Sequence, residues 1–214
     1  RLMEINEGYH SSRILQATVN YDIFDVTEGR GADAQQVAAE RELDLQSLEL
    51  LLNALVALKF LKKQGSVYSN EEIASRFLVT SSHEYLGNFI KFSSRRWRAW
   101  EMLEDSLQTG KPTAEANLYF RDEMVNQAYI MAMHDLSRAR GDVYVLPQRI
   151  DLSGCKNLLD VGGGPGNFVM EFCRYYPDLE GAVFDLPLTL KTTQRLLDRY
   201  DMSHRIQLVP GDYK

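Results

Sequence analysis

A glycine-rich turn stands in the second half of the chain, which reads LLDVGGGPG from Leu158 to Gly166. A short apolar run leads into this turn and an amphipathic segment follows at once, so the pattern predicts a strand, a turn and a helix. Glycine at such a turn permits positive φ and lets a ligand approach the backbone closely. The spacing differs from a dinucleotide fingerprint, because Asn167 stands where a third glycine is required, and no Lys-Ser or Lys-Thr pair follows to make a Walker loop.

Three acidic residues in this half of the chain lie at or near the ends of predicted strands. Asp160 lies two positions before the first glycine, Asp185 ends the second predicted strand and Asp212 follows the third. Carboxyl ends of parallel strands meet at one sheet edge, so we expect the three side chains around one crevice. Three acids beside a glycine turn favour a nucleoside that carries positive charge, and S-adenosylmethionine is such a ligand. Each feature also has a structural interpretation: a structural glycine turn, a helix cap at Asp185 and a turn residue at Asp212.

The two halves of the chain differ in their periodicity. After residue 150 strands and helices alternate, which predicts right-handed crossovers and a parallel sheet. Before residue 150 the spacing is mostly helical, and the segment Leu45 to Leu61 is apolar nearly all round, which predicts a buried helix. Asp44 begins that helix, and Val67 to Ser69 predicts a short strand after it, so this part is of winged-helix type. Further helices are predicted over 84–92, 95–107 and 118–140.

Composition indicates an ordinary globular protein and excludes several classes. The chain has 214 residues, 44% apolar and 25% charged, with a net charge of −6, which argues against a protein that mainly grips nucleic acid phosphates. Cys155 and Cys173 are too few for a disulfide framework and form no metal-binding pair. No apolar run approaches the length of a membrane span and no leader pattern is visible, so we expect a cytoplasmic protein without a membrane or metal partner.

These motifs resemble those of the small-molecule O-methyltransferases that dimerise through an N-terminal winged-helix region, the family of hydroxyindole, caffeate and bacterial pigment and polyketide methyltransferases. Leu158 to Gly166 resembles their first cofactor motif, Val183 to Pro187 their ribose-binding strand end and Val209 to Tyr213 their adenine-side motif. The resemblance implies an α/β Rossmann-like methyltransferase domain, here with a partial parallel sheet, after a mainly α winged-helix dimerisation domain. It implies three parts: a dimerisation domain over 1–110, a connecting helix over 111–150 and part of the cofactor domain over 151–214.

By the same resemblance, the cofactor S-adenosylmethionine would contact nine residues. These are Asp160, Gly162, Gly164, Gly166, Asp185, Asp212, Tyr213, Met133 and Ser137. The resemblance implies that Met133 lies beside the cofactor sulfur and Ser137 near its carboxylate. The two positions are four apart and share a helix face. The alternative interpretation is that the methionines fill a core. His134 adjoins Asp135, but sequence neighbours on a helix point to different faces, so no catalytic role is assigned to it.

The resemblance also implies methyl transfer to a small-molecule acceptor, most simply a hydroxyl oxygen, by a homodimer. The family's general base is a histidine after a fourth strand, which would lie beyond Lys214, so we expect the chain to be a fragment without its own catalytic base. A winged-helix DNA-binding regulator with a ligand-sensing domain is the rival from another class. A non-catalytic or carbon-methylating relative also stays open.

Overall fold

The structure, a computed structural model, describes residues 1–112 and 118–212, with the side chain of Leu118 left out. The described chain forms two compact units, residues 1–98 and 99–214. The three-part division of the chain at residues 110 and 150 stays a prediction.

The first unit contains seven helices and a small antiparallel sheet among the described residues. The helices are α1 (Leu2–Glu7), α2 (Tyr9–Asn20), α3 (Ile23–Val26), α4 (Ala34–Arg41), α5 (Leu45–Ala57), α6 (Glu72–Phe77) and α7 (Gly87–Arg95). The strands are β1 (Ala32–Asp33), β2 (Leu61–Gln64) and β3 (Val67–Asn70), in the order β1-β3-β2. Two helices followed by a β-hairpin make the predicted winged-helix arrangement, with Phe24, Leu52 and Tyr68 fully buried in its core.

Helix α5 is shorter and more exposed than its sequence predicts. Asp44 caps it as expected, since its carboxylate accepts the Ser47 backbone N–H at 2.8 Å. The helix ends at Ala57 because Lys59 adopts a left-handed φ of 61°, and the predicted continuation to Leu61 is wrong: Leu61 begins strand β2. Only one face of the helix is buried within this unit, and Leu50 is 70% exposed.

The chain between α7 and the second sheet forms more helices than predicted. They are α8 (Trp97–Glu101), α9 (Leu103–Thr109), α10 (Leu118–Arg121), α11 (Glu123–Arg140) and α12 (Asp142–Arg149). The predicted helix over 118–140 is interrupted because Asp122 is extended and caps α11, accepting the Val125 N–H at 2.9 Å. Gly141, at φ 78°, ends α11.

The second unit contains the predicted alternation of strands and helices. Its elements are β4 (Asn157–Val161), α13 (Asn167–Tyr175), β5 (Glu180–Asp185), α14 (Pro187–Arg199) and β6 (Ile206–Pro210). The strands are parallel in the order β4-β5-β6. Val183 and Ile206 are buried in the core with α13 and α14, whereas Leu159 and Val161 point the other way and are 56% and 57% exposed.

A single arginine secures the chain between α13 and β5. Arg205 donates from its terminal nitrogens to four backbone carbonyl oxygens, those of Cys173 (2.7 Å), Tyr176 (3.0 Å), Pro177 (2.8 Å) and Leu179 (2.5 Å). The end of the helix and the turn after it are thus tied to the residue just before β6, which helps to hold β5 and β6 in register.

Candidate cofactor-binding site

The glycine turn between β4 and α13 has a backbone that other residues adopt only with strain. Gly162, Gly164 and Gly166 have φ values of 70°, 53° and 76°. A Cβ placed on Gly164 would meet only Ile130 Cδ1, at 4.0 Å, among the described residues. This glycine therefore borders open space, where a side chain would occupy room that a ligand can use.

Asp185 fixes the conformation of that turn. Its Oδ2 accepts the Gly164 N–H at 2.9 Å and its Oδ1 accepts the Leu186 N–H at 2.7 Å. Thr193 completes the support by donating its hydroxyl to the Gly164 carbonyl oxygen at 2.6 Å. Asp185 does not cap helix α14, whose N-cap is Leu186. A carboxylate oxygen accepts more than one hydrogen bond, so Asp185 can still receive hydroxyl groups of a ligand.

Asp160 is an acid held in an unfavourable environment. Its Oδ2 is buried and has no hydrogen-bond donor among the described residues. Burial raises the pKa of this carboxyl, and the charge of Asp185 raises it further. A Cβ on Gly163 would lie 2.7 Å from Asp160 Cγ, so the turn can close over the acid only with glycine there. A positive charge placed nearby would stabilise the ionised form of Asp160.

A cavity of about 860 Å³ lies over the glycine turn, between α11 and the carboxyl ends of the strands. The volume falls in the range of small-molecule sites, about 300–1,000 Å³. Its acidic lining residues, Asp142, Asp160, Asp185 and Asp212, outnumber the arginines Arg121 and Arg140. The cavity therefore suits a ligand with a cationic part, and the two arginines can meet an anionic part of the same ligand.

The cavity brings together most of the residues predicted from sequence. It is lined by Asp160, Gly162, Gly164, Asp185, Asp212, Met133 and Ser137. Gly166 is not among its lining residues; it is the N-cap of α13, and a Cβ there would contact Thr193 and Val183 at 3.4 Å. Tyr213 lies outside the described residues.

Sequence reasoning missed two buried asparagines that line the same cavity. Asn126, on α11, donates to the Tyr119 carbonyl at 2.8 Å and contacts the Thr189 hydroxyl at 3.3 Å, while its Oδ1 is buried without a partner among the described residues. Asn167 is the first residue of α13 and is 3% exposed. In the sequence, only position relative to a predicted site residue could have pointed to them. Asn126 precedes Met133 by two helical turns, and Asn167 directly follows the glycine motif.

His134 is buried on α11 and makes two ring contacts. Its Nδ1 lies 2.6 Å from Asn167 Oδ1 and its Nε2 lies 3.0 Å from the Tyr200 hydroxyl. Burial lowers its pKa from 6.5 to about 4, and the positive charges of Arg138 and Arg199 act in the same direction. A neutral imidazole with both nitrogens engaged is a poor general base at neutral pH.

Two features are absent from the described residues, a metal-binding cluster and a membrane-spanning helix. No group of three or more His, Cys, Asp or Glu side chains in residues 1–112 and 118–212 could hold a metal ion. Within the same residues, none of the helices combines the length and the apolarity that spanning a membrane requires.

Comparison with solved structures identifies the fold. The structure superimposes on human N-acetylserotonin methyltransferase, solved in complex with SAM, with a TM-score of 0.84 at 26% identity, covering 99% of this chain and 65% of that one. It also matches an O-methyltransferase family protein from Burkholderia thailandensis, with a TM-score of 0.82 at 27% identity, covering 99% and 63%.

The chain is also similar in sequence to methyltransferases. The chain is 29% identical to the N,N-dimethyltransferase OxyT of Streptomyces rimosus, covering 99% of this chain and 64% of that protein. It is 26% identical to the 3-hydroxy-5-methyl-1-naphthoate 3-O-methyltransferase of Streptomyces sahachiroi, covering 99% and 62%. The chain thus spans somewhat less than two thirds of the length of these relatives.

Family profiles cover both units. The O-methyltransferase dimerisation domain matches residues 3–80 and the O-methyltransferase domain matches residues 100–214. The second match alone covers more than half of the chain and includes the glycine turn, Asp160, Asp185 and Asp212. The chain therefore belongs to the O-methyltransferase family, with a winged-helix dimerisation domain followed by part of a Rossmann-like methyltransferase domain.

Proposed function

We propose that the whole protein transfers a methyl group from S-adenosylmethionine to a hydroxyl oxygen of a small molecule. The observation that carries this proposal is the buried Asp160 carboxylate, whose Oδ2 has no donor among the described residues and which lines the cavity over an open glycine turn. A ligand that brings a cation and hydroxyl groups satisfies both Asp160 and Asp185. Family membership supports the same conclusion.

Each lining residue has a task in this proposal. S-Adenosylmethionine supplies an electrophilic methyl group on a sulfonium when bound. Asp185 accepts the ribose hydroxyls while it holds Gly164, and Asp160 stabilises the positive charge. Asp212 and Tyr213 flank the adenine. Met133 bounds the place where sulfur and acceptor meet, and alignment of the two reactants is the main contribution that a protein makes to such a transfer.

The base that removes the acceptor proton is proposed to lie outside the 214 residues. No histidine lines the cavity among the described residues, and His134 is engaged and only weakly basic. A histidine in a part of the whole protein that follows Lys214 would supply this function. Relatives of which the chain spans 62–64% have room for such a residue.

An amine acceptor is the second candidate. OxyT, one of the relatives, is named as an N,N-dimethyltransferase. An amine with a free electron pair needs no strong base before methyl transfer, so a described lining without a histidine is compatible with it. Parallel assays with phenolic and aromatic amine acceptors would separate the two reactions.

We further propose a cytoplasmic homodimer joined through the N-terminal unit. The dimerisation profile matches residues 3–80, and α1 exposes Leu2, Met3 and Ile5. Helix α5, which would have to read DNA in a winged-helix regulator, presents Glu49 and the apolar Leu50 to the surface. Exposed apolar side chains of this kind favour a protein partner over DNA phosphates.

Titration calorimetry of the whole protein tests the function directly. We expect S-adenosylmethionine and S-adenosylhomocysteine to bind, and we expect Asp160→Asn to weaken the cationic sulfonium ligand more than the neutral thioether. A whole protein that binds neither ligand would refute the proposed function. Light scattering at micromolar concentration tests the dimer, and a monomer mass would contradict it.

A further inference from the structure

A chain of buried hydrogen bonds runs from helix α14 to the cavity through His134, Asn167 and Ser137. Asn167 uses its whole side-chain amide in this chain: Nδ2 donates to the His134 carbonyl at 3.0 Å and to Ser137 Oγ at 2.5 Å, and Oδ1 faces His134 Nδ1 at 2.6 Å. Both donors and the acceptor of the amide are therefore engaged by α11. The orientation of the amide group is fixed by these contacts.

The amide orientation determines the histidine tautomer. Asn167 Oδ1 can only accept, so His134 Nδ1 carries the proton and donates it. Because burial keeps the imidazole neutral at ordinary pH, Nε2 is then an acceptor and receives the Tyr200 hydroxyl. Donation thus runs in one direction, from Tyr200 to His134, from His134 to Asn167 and from Asn167 to Ser137.

Ser137 ends the chain at the cavity wall. Its Oγ accepts the Asn167 N–H with one lone pair, which leaves the O–H donor and the second lone pair of the hydroxyl. Among the described residues, that proton has an acceptor only in the His134 carbonyl at 3.2 Å, which is long for an O–H···O hydrogen bond and already receives Asn167 Nδ2. A ligand acceptor in the cavity can therefore take the proton at little cost.

We infer that His134 and Asn167 are positioning residues that turn the Ser137 hydroxyl into a donor toward the carboxylate of the bound nucleoside's amino-acid tail. This inference rests on the proposed function, because it needs a ligand that carries a carboxylate at this wall. Asn167 is the first residue after the glycine turn, so the same amide also joins the turn to α11.

The test compares two nucleoside ligands that differ in the tail. S-Adenosylhomocysteine carries the carboxylate, and 5′-methylthioadenosine lacks the amino-acid group. In the whole protein, Asn167→Ala should weaken S-adenosylhomocysteine roughly tenfold to a hundredfold, the range of a hydrogen bond to a charged group, and leave 5′-methylthioadenosine within about twofold. Ser137→Ala should give the same pattern, and the double variant should lose no more than the single ones.

Variants of His134 separate positioning from structural support. His134→Asn keeps a donor near the place of Nδ1 and should retain the preference for the carboxylate ligand, whereas His134→Leu should lose it. Tyr200→Phe is the matched control, since it removes the far end of the chain and leaves the Asn167 contacts in place. If Asn167→Ala does not fold, the Ser137→Ala and His134→Asn comparison decides the matter.

The binding results distinguish a failure of this inference from a failure of the proposed function. Equal weakening of both ligands, or no weakening of either, would overturn the inference while leaving the proposed function intact. Failure of the unaltered whole protein to bind either nucleoside would instead refute the proposed function.

Discussion

Two glycine turns, one in each unit, use similar backbone conformations for different purposes. Gly29 and Gly31 have φ values of 67° and 77°, close to those of the turn that contains Gly164. A Cβ on Gly31 would lie 2.5 Å from the Tyr68 carbonyl oxygen and 2.9 Å from Val67 Cγ1. Atoms of strand β3 therefore already occupy the space next to this glycine. The same addition at Gly164 would enter a cavity.

A buried asparagine also lies close to each turn, but the partners of the two asparagines differ. Asn70 accepts the Thr27 hydroxyl at 2.6 Å and donates to the Phe24 carbonyl at 2.8 Å and to the Glu28 carboxylate at 2.6 Å. Asn167 depends on His134, whose charge changes with pH. Glycine spacing therefore does not by itself mark a ligand site: what faces the missing Cβ, and which groups hold the turn, distinguishes a packed turn from one that receives a ligand.

The largest expected effect is loss of ligand binding on Gly164→Asn. Asparagine tolerates a positive φ, so the turn should keep its conformation, but the new side chain would occupy the part of the cavity directly over the turn. We expect S-adenosylhomocysteine binding by the whole protein to fall below the detection limit of calorimetry while the circular dichroism spectrum is unchanged. Unaltered affinity in a folded variant would show that the ligand lies elsewhere.

Gly31→Ala should damage the first unit without altering the cavity. A left-handed alanine costs about 1–2 kcal/mol and the close contact with Tyr68 about 1–3 kcal/mol more, so we expect the free energy of unfolding to fall by about 2–5 kcal/mol. Urea unfolding followed by fluorescence measures this loss. A midpoint equal to that of the unaltered protein would mean that β3 moves aside freely.

Acid should destabilise the second unit through His134, whose buried imidazole contacts Asn167 next to the glycine turn. The pKa of this histidine is lowered in the folded state, so its contribution to stability is complete above pH 6.5 and is lost as the pH falls toward about 4. A difference of 6.5 minus 4 pH units amounts to about 3 kcal/mol at about 1.36 kcal/mol per unit.

The measurement is the urea midpoint between pH 7 and pH 4, compared with that of His134→Asn, which has no titrating group at this position. The variant should lose less stability than the unaltered protein over this interval. Parallel curves for the two proteins would show that the imidazole is solvated in solution.

Asp185→Ala should weaken S-adenosylhomocysteine by about 1.5–3 kcal/mol, because a charged acceptor for the ligand and the acceptor of the Gly164 N–H are both lost. Asp185→Asn is the matched control, since it keeps one carbonyl oxygen and should lose less. Calorimetry measures the affinity of the three proteins for S-adenosylhomocysteine. Equal affinities would show that Asp185 does not contact the ligand.

The smallest expected effect is that of Gly29→Asn. A Cβ on Gly29 meets nothing within 4 Å among the described residues, and asparagine accepts its φ of 67°. We expect a change in the free energy of unfolding within about 0.5 kcal/mol. A loss as large as that of Gly31→Ala would mean that positive φ alone, and not the contact with Tyr68, controls this turn.

Local chemistry made some elements predictable from the sequence. Strand β4 runs from Asn157 to Val161 as predicted, because an apolar run is bounded on one side by Lys156 and on the other by glycines. Asp44 at the start of α5 and Pro187 in the first turn of α14 likewise act within one helical turn of their own positions. The common position of the three aspartates follows from parallel topology alone.

Other features depend on information that no short window contains. Helix α5 ends at a lysine in a left-handed conformation, where helix-ending patterns call for glycine, so the leucine spacing extended the prediction through Leu61. The His134 and Asn167 side chains are separated by 33 residues in sequence, and only the packing of α11 against α13 brings them together. In both cases the tertiary structure, and not the local sequence, determines the arrangement.

The arginine clamp at Arg205 has a consequence for hydrogen exchange. Local opening at the end of α13 would strip four carbonyl acceptors from a guanidinium ion, so fraying there is far more costly than at an ordinary helix end. Amide protons of the last turn of α13 and of the turn that follows should exchange as slowly as those of the central strand. The boundary of the slowly exchanging core in this unit is thus expected at Leu179 instead of at the last helical residue, Tyr175.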